Sequence, residues 1–395
     1  MLQSLLQVRA DKADSPVRDL SCIASTGGSI LHMYTTAVYT DLAALPARWE
    51  PLLSRAGRAS FFHTLPWYRN LADCVLAPGE RVRVYAVNAE SDGSPRALLP
   101  MRSSGSAGAL SGLSNYYTSL FGPVLDPDEP DTQGVLDVLA AAISRDKGPW
   151  HTIDLRPLAV DSAYFSALVG ALRKAGLAVQ TYFCFGNWYA HVNGRSYAQY
   201  FEGLPSQVKN TVTRKRKQLE KLKSRIVVFD GEAGLDEALR AYEKIYAVSW
   251  KVPEPYPQFI AGLCRTAAAQ GWLRLGVVYV DDEPVAAQIW IVHAGVAAIY
   301  KLAYDERAAK LSAGSILTAH LMQRALDVDK VHEIDYLTGD DAYKKDWMSH
   351  RRERWGIIAF NPRTPRGLLG AAWHFGARAA KRALGGARRL VAPRT

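Results

Sequence analysis

Cysteine is scarce in this sequence, and its four copies lie far apart at Cys22, Cys74, Cys184 and Cys264. They form no CxxC pair, and no group of cysteine and histidine has the spacing of zinc ligands. This scarcity argues against a disulfide-stabilised secreted protein and favours a reducing cytoplasm. We expect no metal site.

Long apolar runs are also missing. No stretch approaches the roughly 18 uninterrupted apolar residues that would span a bilayer. The first residues, MLQSLLQVRADKADSP, have neither the apolar core nor the cleavage site of a signal peptide. We therefore expect a cytoplasmic protein, at most peripheral at the inner face of the membrane.

The common catalytic motifs GxGxxG, GxxxxGK[ST], HExxH and GxSxG are absent. Dinucleotide, P-loop, zincin and hydrolase chemistries lose their usual support as a result. The composition is otherwise that of a globular protein: 395 residues, 48% hydrophobic and 22% charged, enough for two or three domains. With 48 basic against 38 acidic residues the net charge is +10, so a phosphate-bearing partner or an anionic membrane surface must be considered.

The apolar periodicity predicts the same order of elements, ααβββαβαβ, in both halves of the chain. In the first half we predict helices over Asp41–Glu50, TLPWYRNLADCVL, Thr132–Ser144 and Ser162–Ala175, and strands over RVRVYAV, RALLPMR, Tyr116–Leu125, His151–Pro157 and a segment ending near Val192. In the second half we predict helices over Gly234–Trp250, Tyr256–Gln270, Ser312–Val328 and Ala342–Met348, and strands over WLRLGVVYV, PVAAQIWIVH, VAAIYKLAY, HEIDYL and WGIIAF. His151-Thr-Ile-Asp154 and His332-Glu-Ile-Asp335 fall at equivalent points, so we interpret the chain as an internal duplication.

Between the halves, residues 196–225 form a predicted basic linker helix. After Pro205, eight basic residues and one acid fall within Ser206–Arg225, with Val208, Val212, Leu219 and Leu222 at helical spacing. This predicts one packed stripe and a strongly positive outer surface. A solvated linker helix is the plain alternative to a helix that tracks an anionic partner.

The chain ends in a segment, residues 362–395, that has eight basic residues and no acid. Leucine, tryptophan and phenylalanine are interspersed among them, which is typical of an amphipathic segment at an anionic bilayer face. Contact with nucleic acid, or packing on the protein itself, remains open. If the segment binds a membrane, we expect residues 366–391 to make the contact.

An anion site is predicted at the start of the helix over Ser312–Val328. Ser312 is a natural N-cap, and Gly314 in the first turn leaves the backbone N–H groups open to a ligand. Unpaired donors and the helix dipole favour a phosphate there. The corresponding helix of the first half starts among Asp126, Asp128, Glu129 and Asp131, which would repel phosphate.

Several separated positions of the second half resemble the FemAB-related branch of the GNAT acyltransferase superfamily, specifically its CelD/BcsL-like group. They are Ser249-Trp250, Pro284-Val-Ala-Ala287, Tyr300-Lys301, Ser312-Ala-Gly314…Leu317, Asp335 and Gly339-Asp-x-x-Tyr343-Lys344…Trp347. The resemblance covers about residues 41–360 and is weak in the first half. Ala313 departs from the family, which often has proline before that glycine.

The resemblance implies an α/β fold of mixed sheets, with tandem GNAT-like domains joined by the basic helix and followed by the basic tail. The expected organisation is a disordered leader (1–32), a degenerate N-terminal domain (33–195), the linker helix (196–225), a donor-binding C-terminal domain (226–361) and the tail (362–395). The acyl donor is expected in a gap between VAAIYKLAY and HEIDYL, with its pyrophosphate at Ser312–Ile316.

The candidate site residues follow from the resemblance and from side-chain chemistry. Asp335, Asp340 and Tyr343 are the catalytic candidates, the carboxylates as proton acceptor and the phenol as proton donor to the leaving thiolate. The donor-binding candidates are Lys301, Ser312, Gly314, Ser315 and Ile316. The substrate-binding candidates are Lys344, Trp250 and Tyr304. Asp335 has a structural alternative, since Asp154 occupies the same place in the first half.

The function that these observations predict is transfer of an acyl group from acyl-CoA to an amine or hydroxyl, and acetyl is the leading candidate for that acyl group. The acceptor would be a small molecule, a saccharide or a cell-envelope precursor. One alternative is FemAB-type transfer from aminoacyl-tRNA, for which the basic helix offers a surface. A second is a non-catalytic scaffold that binds anions or membranes. We expect no DNA partner.

Overall fold

The first half of the chain contains most of the predicted elements and two further strands at its start. The computed structural model describes residues 17–19, 33–104, 108–146 and 150–376. In chain order the elements are β1 (Val17–Asp19), β2 (Tyr34–Tyr39), α1 (Glu50–Gly57), α2 (Leu65–Val75), β3 (Glu80–Ala89), β4 (Pro95–Ser104), β5 (Ala109–Gly112), β6 (Val124–Leu125), α3 (Thr132–Arg145), β7 (Thr152–Ala159), α4 (Ala163–Lys174) and β8 (Ala178–His191). Within the predicted leader only β1 is described, and it pairs with β2. The rest of residues 1–32 lies outside the described residues.

The second half repeats this order. Its elements are α5 (Tyr197–Glu202), α6 (Ser206–Leu219), β9 (Ser224–Phe229), α7 (Leu235–Ala247), α8 (Pro257–Ala269), β10 (Leu273–Val280), β11 (Glu283–His293), β12 (Val296–Tyr304), α9 (Ala313–Gln323), β13 (Glu333–Asp335), β14 (His350–Phe360) and a final helix α10 (365–376). A π turn over Arg324–Val328 extends α9, and a 3-10 turn over Ala342–Asp346 replaces the predicted short helix. Residues 377–395 of the predicted tail lie outside the described residues.

Three further predicted elements differ from the structure, two in the first half and the basic linker. The helix predicted over Asp41–Glu50 is a pair of 3-10 turns, because Pro46 interrupts the hydrogen bonding, and the α-helix begins only at Glu50. The strand predicted over Tyr116–Leu125 is mostly irregular, and the ladder is made instead by β5 and β6.

The basic linker also differs from a single helix over residues 196–225. It is two helices, α5 and α6, because Gly203 and Pro205 separate them. The second of them ends at Leu219, and Ser224 already begins β9.

The strands missed by the sequence reasoning, β2 and β9, occupy equivalent places. β2 pairs antiparallel with β3, and β9 pairs antiparallel with β10, so each repeat begins with a strand beside its hairpin. Both are only six residues long, too short to be distinguished by periodicity alone.

Two-residue turns fix the register of the central hairpins in the second half. Asp281 and Asp282 both have positive φ and join β10 to β11, while Ala294 and Gly295, also with positive φ, join β11 to β12. Such turns match the right-handed twist of the strands that they connect. The hairpins therefore fix the register of β12 against β11, from Val296 opposite His293 to Tyr304 opposite Ala286.

The HxIDx echo in the sequence marks equivalent strand pairs. Asp154 of β7 lies opposite Ser111 in the parallel β5–β7 pair, and Asp335 of β13 lies opposite Ala298 in the parallel β12–β13 pair. In both repeats the parallel pairing covers three residues and ends at the aspartate. The duplication predicted from element order is therefore also visible in the register.

The chain divides into two compact units, each with its own core. Of the described residues, the first contains 17–19, 33–56, 76–104, 108–146, 150–184 and 355–376, and the second contains 57–75 and 185–354. Strands of the first follow the order β1-β2-β3-β4-β5-β7 with β6 beside β4, and those of the second follow β8-β13-β12-β11-β10-β9. Both sheets are mixed, as the expected α/β class requires, because β5–β7 and β12–β13 are parallel and the other pairs with described register are antiparallel.

The cores follow this division. In the first unit α3 and α4 pack on the sheet through Leu136, Leu139 and Leu168. In the second, α9 packs on β11 and β12 through Ile316, Leu317 and Leu321. None of the helices within the described residues has the length and apolarity to cross a bilayer.

Candidate active site

A cavity of about 490 Å³ opens in the second unit where the pairing of β12 with β13 ends. The parallel ladder stops at Ala298 and Asp335, yet β12 continues to Tyr304. The edge of β12 beyond the ladder and the start of α9 form two walls of the cavity. Its lining residues are Gln207, Val208, Thr211, Val212, Trp250, Gln288, Leu302, Ala303, Tyr304, Gly314, Ser315, Thr318, Tyr336, Tyr343, Asp346 and Trp347.

The first turn of α9 presents an open backbone donor to this cavity. Ser312 lies at the N-cap position in the left-handed region, with φ 52°, and its side chain caps nothing. Its carbonyl oxygen accepts the amides of Ser315 and Ile316, at 3.0 and 3.1 Å. Among the described residues, no acceptor takes the amides of Ala313 or Gly314. The N–H group of Gly314, which lines the cavity at the positive end of the helix, is therefore free for an anion, while Ala313 beside it is buried and lies outside the lining.

A buried polar network holds this turn in place. Gln288 of β11 is 1% exposed, and its side-chain amide donates to the carbonyl oxygen of Gly314 at 2.9 Å and to Thr318 Oγ1 at 2.8 Å. Its own oxygen accepts the indole N–H of Trp290 at 2.8 Å. Thr318 also bonds Tyr336, whose hydroxyl is buried and whose pKa is raised by that burial. All the polar atoms of Gln288 thus serve to fix the start of α9.

The basic helix α6 forms the opposite wall. Val212 is buried and Val208 is partly buried against the core, as predicted, while Gln207 and Thr211 add polar groups to the lining. Leu222, which was expected in the same stripe, is exposed because the helix ends at Leu219. α6 packs directly against α9, and the Lys215 ammonium donates to the carbonyl oxygen of Lys310.

The carboxylate of Asp335 is used by the protein itself. Its Oδ1 accepts from Asn187 Nδ2 at 2.5 Å and from the amide of Leu337 at 2.7 Å, and its Oδ2 accepts from Arg352 at 2.6 Å. The residue is buried and does not line the cavity. This placement favours the structural role that the echo with Asp154 suggested over a role as proton acceptor.

Asp340 is also engaged. Arg351 binds it in a forked pair, with a shortest distance of 2.7 Å, and the indole N–H of Trp188 donates to it at 2.6 Å. The hydrogen bond from Arg351 and that from Trp188 hold the pKa of Asp340 below its usual value. A carboxylate stabilised in this way is a weaker base than a free one.

Tyr343 and Asp346 bring titratable groups into the cavity from the 3-10 turn that follows β13. The Tyr343 ring lies edge-on to Tyr336, with 5.8 Å between centroids, and burial raises the pKa of its hydroxyl, so the phenol stays protonated near neutral pH. Asp346 is half-buried and, within the described part of the chain, forms no ion pair. A proton donor and a carboxylate acceptor therefore share one cavity.

The two candidate lysines are buried in ion pairs. Lys301 Nζ lies 2.8 Å from Glu254, and both side chains are 9% exposed. Lys344 Nζ donates to the carbonyl oxygen of Thr338 at 2.6 Å and lies 3.1 Å from Asp341. Both brace the loops around the cavity from outside its lining.

A family model described as "Acetyltransferase (GNAT) domain" matches residues 206–345. The chain carries a GNAT domain. The matched range contains α6, both walls of the cavity and the turn with Tyr343, so the resemblance to the GNAT superfamily and its CelD/BcsL-like group is confirmed. A GNAT domain indicates an acyltransferase, and such enzymes typically use acyl-CoA as co-substrate.

Solved structures support the fold of the chain that contains this GNAT domain. The crystal structure of FemX is similar, with a TM-score of 0.58 at 10% identity over 79% of this chain and 95% of that one. L-PGS from Bacillus licheniformis is similar with a TM-score of 0.50 at 11% identity, over 82% and 93%. A tandem GNAT protein from the clavulanic acid pathway matches more weakly, with a TM-score of 0.41 at 11% identity, over 71% and 84%. A comparison with curated protein sequences found no significant match.

The structure brings five of the predicted site residues together in the cavity of the GNAT domain. They are Gly314, Ser315, Tyr343, Trp250 and Tyr304, the last two with ring centroids 4.5 Å apart. The other six, Asp335, Asp340, Lys301, Lys344, Ser312 and Ile316, lie outside the lining. Ile316 packs into the core instead.

Sequence reasoning missed Gln288, Thr318, Tyr336 and Asp346. Gln288 had a usable signal, since it is the one polar residue within the apolar run VAAQIWIV of β11. A polar side chain in a buried strand needs partners and so points to a network. Asp346 had no such signal. The sequence does not show that the turn directs Asp346 to the cavity, or that Asp335 and Asp340 are hydrogen-bonded to other side chains.

Proposed function

We propose that this protein is an acyltransferase that moves an acyl group from acyl-CoA to an amine or hydroxyl, with acetyl as the first acyl group to test. The acceptor class is a small molecule, a saccharide or a precursor of the cell envelope. The observation that carries the proposal is the amide of Gly314, which has no acceptor among the described residues and lines the cavity between β12 and α9 at the start of that helix.

Donor binding follows from the two parts of the cavity. The open amide of Gly314 and the dipole of α9 suit the pyrophosphate of a CoA thioester. The edge of β12 at Leu302 and Ala303, with Val208 and Val212 of α6, offers an apolar and partly polar trough for the pantetheine arm. The GNAT family match over the same residues supports this assignment.

Acyl transfer in this cavity needs one proton acceptor and one proton donor. The neutral amine or the hydroxyl of the substrate that receives the acyl group attacks the thioester carbonyl carbon. Its proton passes to Asp346, and the carbon–sulfur bond breaks. Tyr343, which stays protonated because its pKa is raised, gives its proton to the leaving thiolate. The free carboxylate and cavity position of Asp346 support it over Asp335 and Asp340, which are engaged elsewhere.

The first half fits a degenerate GNAT-like domain, which makes the chain a tandem arrangement joined by the basic helix and followed by the basic tail. At the start of α3, the helix equivalent to α9, the Asp131 carboxylate accepts from the amide of Gly134 at 2.9 Å. The protein's own carboxylate therefore occupies the donors that would hold a phosphate. Only the second half retains an open helix start at this position.

A thermal-shift titration with CoA and acetyl-CoA tests the donor. A ligand that binds only the folded protein stabilises it by RT ln(1 + [L]/Kd), so we expect a saturable rise in melting temperature. Aminoacyl-tRNA is the competing donor, and its phosphate contacts would weaken steeply with salt. No shift with CoA, together with salt-dependent tRNA binding that survives competing bulk RNA, would overturn the acyl-CoA assignment.

A further inference from the structure

A second cavity, of about 370 Å³, lies in the same unit between α7 and the start of α8. Its lining residues are Leu239, Tyr242, Glu243, Tyr246, Ala247, Lys251, Pro253, Glu254, Pro257, Ile260 and Ala261. The lining is mainly apolar and aromatic, with one ammonium group and two carboxylates. Lys251 follows directly after Trp250, which lines the first cavity, and its Nζ lies 5.6 Å from the centre of that indole ring.

Lys251 belongs to a cluster of three buried or half-buried lysines with two carboxylates. Lys301 Nζ lies 2.8 Å from the Glu254 carboxylate, and Lys344 Nζ lies 3.1 Å from the Asp341 carboxylate. Lys251 forms no ion pair with any described residue. Each carboxylate of the cluster is thus paired directly with another lysine, and one positive charge is left without a direct counter-ion.

A half-buried ammonium group of this kind is costly to keep charged. Burial, then the neighbouring charge of Lys301, lowers the pKa of Lys251 to about 8, while Glu254 and Asp341 oppose the shift and Lys344 adds to it. Glu243 of α7 also lines this cavity, and its side chain is exposed to solvent. A ligand that supplied one negative charge would complete the cluster and stabilise the charged form.

We propose that this cavity binds a small organic carboxylate with an apolar or aromatic body, with Lys251 as its counter-ion. A single carboxylate matches the one lysine of the cluster that has no direct ion pair, and a dianion such as a phosphate monoester would be repelled more strongly by Glu243 and Glu254, which line the same cavity. The aromatic side chains of Tyr242 and Tyr246 with Ile260 accommodate the body of the ligand. The further inference that this carboxylate belongs to the acyl acceptor rests on the proposed function. The binding of a carboxylate in the cavity does not depend on it.

Protection of Lys251 from an amine-reactive ester, followed by peptide mass spectrometry of the full chain, tests the site without CoA. The probes are 3-phenylpropanoate, the neutral 3-phenylpropanol and phenyl phosphate. We expect 3-phenylpropanoate to slow labelling of Lys251 several-fold, the alcohol to have no effect, and phenyl phosphate to protect less. Labelling of Lys244, an exposed lysine of α7 paired with Glu283, is the internal control.

The pH dependence has a fixed sign. The carboxylate needs the charged lysine, so its affinity is constant from about pH 6, where the ligand is fully ionised, to the free lysine pKa of about 8 and falls as the pH rises above it. Lys251→Arg should retain binding, measured by calorimetry, and Lys251→Met should lose it. Equal protection by acid and alcohol, or affinity that does not fall above pH 8, would overturn the proposal. Since no step uses CoA, these outcomes are independent of the donor assignment.

The helix α10 carries a separate surface. One face packs on the first unit through Ala371, which is buried, and through Phe375, whose ring lies 6.3 Å from that of Phe360. Leu369 and Trp373 lie away from that face and are 70% and 81% exposed, and Leu368, seven residues before Phe375, lies at its edge and is 55% exposed. Leu369 and Trp373 are four residues apart, so they lie together on the helix.

Basic residues lie before and after this apolar face in the sequence, and their positive charge favours an anionic partner. The sequence has no acidic residue after Glu353, whereas Arg363 and Arg366 precede the apolar face and six further basic residues follow it between Arg378 and Arg394. Apolar side chains that penetrate the interface, surrounded by positive charge, suit an anionic bilayer. The geometry and charge point to docking of Leu368, Leu369 and Trp373 on an anionic lipid surface.

Co-sedimentation of the full chain with vesicles tests this surface. We expect binding to phosphatidylcholine vesicles that contain phosphatidylglycerol, little binding to pure phosphatidylcholine, and loss of binding in Leu368→Ser/Leu369→Ser/Trp373→Ser. Val252→Ser/Val328→Ser removes two exposed apolar side chains elsewhere and should bind normally. Unchanged vesicle binding in the triple variant would overturn the proposal, as would a dimer in light scattering that only the triple variant abolishes.

Discussion

The side-chain amide of Gln288 donates a hydrogen bond to the carbonyl oxygen of Gly314, at 2.9 Å. A buried glutamine in the middle of β11 thereby fixes the first turn of α9, on which the open amide of Gly314 depends. The same side chain is held by the Trp290 indole, so the turn is connected to the core by a network with no spare polar atom.

Gln288→Leu should therefore affect both stability and donor binding. It leaves the Trp290 N–H without its partner and removes one of the two side-chain hydrogen bonds to the Gly314 carbonyl oxygen, and a buried group left unpaired costs about 1–3 kcal/mol. Urea unfolding should show a loss in that range, and calorimetry should show weaker CoA binding. Gln270→Leu, at an exposed position after α8, serves as the control. Full CoA affinity in Gln288→Leu would separate the network from the donor site.

The position of Gly314 allows a matched pair of variants. A Cβ there would meet only Tyr304 Cδ1, at 3.7 Å, which is an ordinary contact. Gly314→Ala should thus fold and bind CoA nearly as the wild type does. Gly314→Glu should unfold at a similar urea concentration yet lose CoA binding, because it adds bulk and negative charge beside the open amide. Equal CoA affinity in the two variants would place the pyrophosphate elsewhere.

The two carboxylates Asp346 and Asp335 should give opposite results. Asp346→Asn is expected to lower kcat at least tenfold with little change in stability, because Asp346 forms no ion pair among the described residues. Asp335→Asn is expected to lose roughly 2 kcal/mol of stability, since its charged oxygens accept from Arg352 and from Asn187. Steady-state kinetics and urea unfolding of both variants distinguish the roles, and a reversed pattern would restore Asp335 as the proton acceptor.

Tyr343→Phe should lower kcat and leave KM for acetyl-CoA almost unchanged, since only the proton donor is lost. The raised pKa of Tyr343 means that the phenol is protonated throughout the neutral and mildly alkaline range. The ratio of wild-type to variant kcat should therefore be constant from pH 6 to about pH 9. A ratio that falls toward 1 within this range would show that the pKa of Tyr343 is not raised, and a ratio near 1 at every pH would show that another group donates the proton.

Much of the fold could be predicted from the sequence because the hairpins and helices have strong periodicity. The pair β10 and β11, with the turn at Asp281 and Asp282, and the helix α9 are examples. The strands β2 and β9 could not be predicted, because their pairing partners, not their own patterns, decide their conformation.

The candidate site could be predicted only in part. The open helix start at Gly314 follows from local sequence, since glycine in a first turn is a local signal. The engagement of Asp335 by Asn187 and Arg352 depends on residues about 150 positions before it and 17 after it. Such long-range contacts decide which carboxylate is free, so the change of emphasis from Asp335 and Asp340 to Asp346 required the structure.

A crystal structure of the protein with CoA tests the central claim most directly. The account predicts pantetheine density along β12 and α6, with a pyrophosphate oxygen within hydrogen-bond distance of the amide of Gly314. Density for CoA at any other place, with the start of α9 empty, would contradict it.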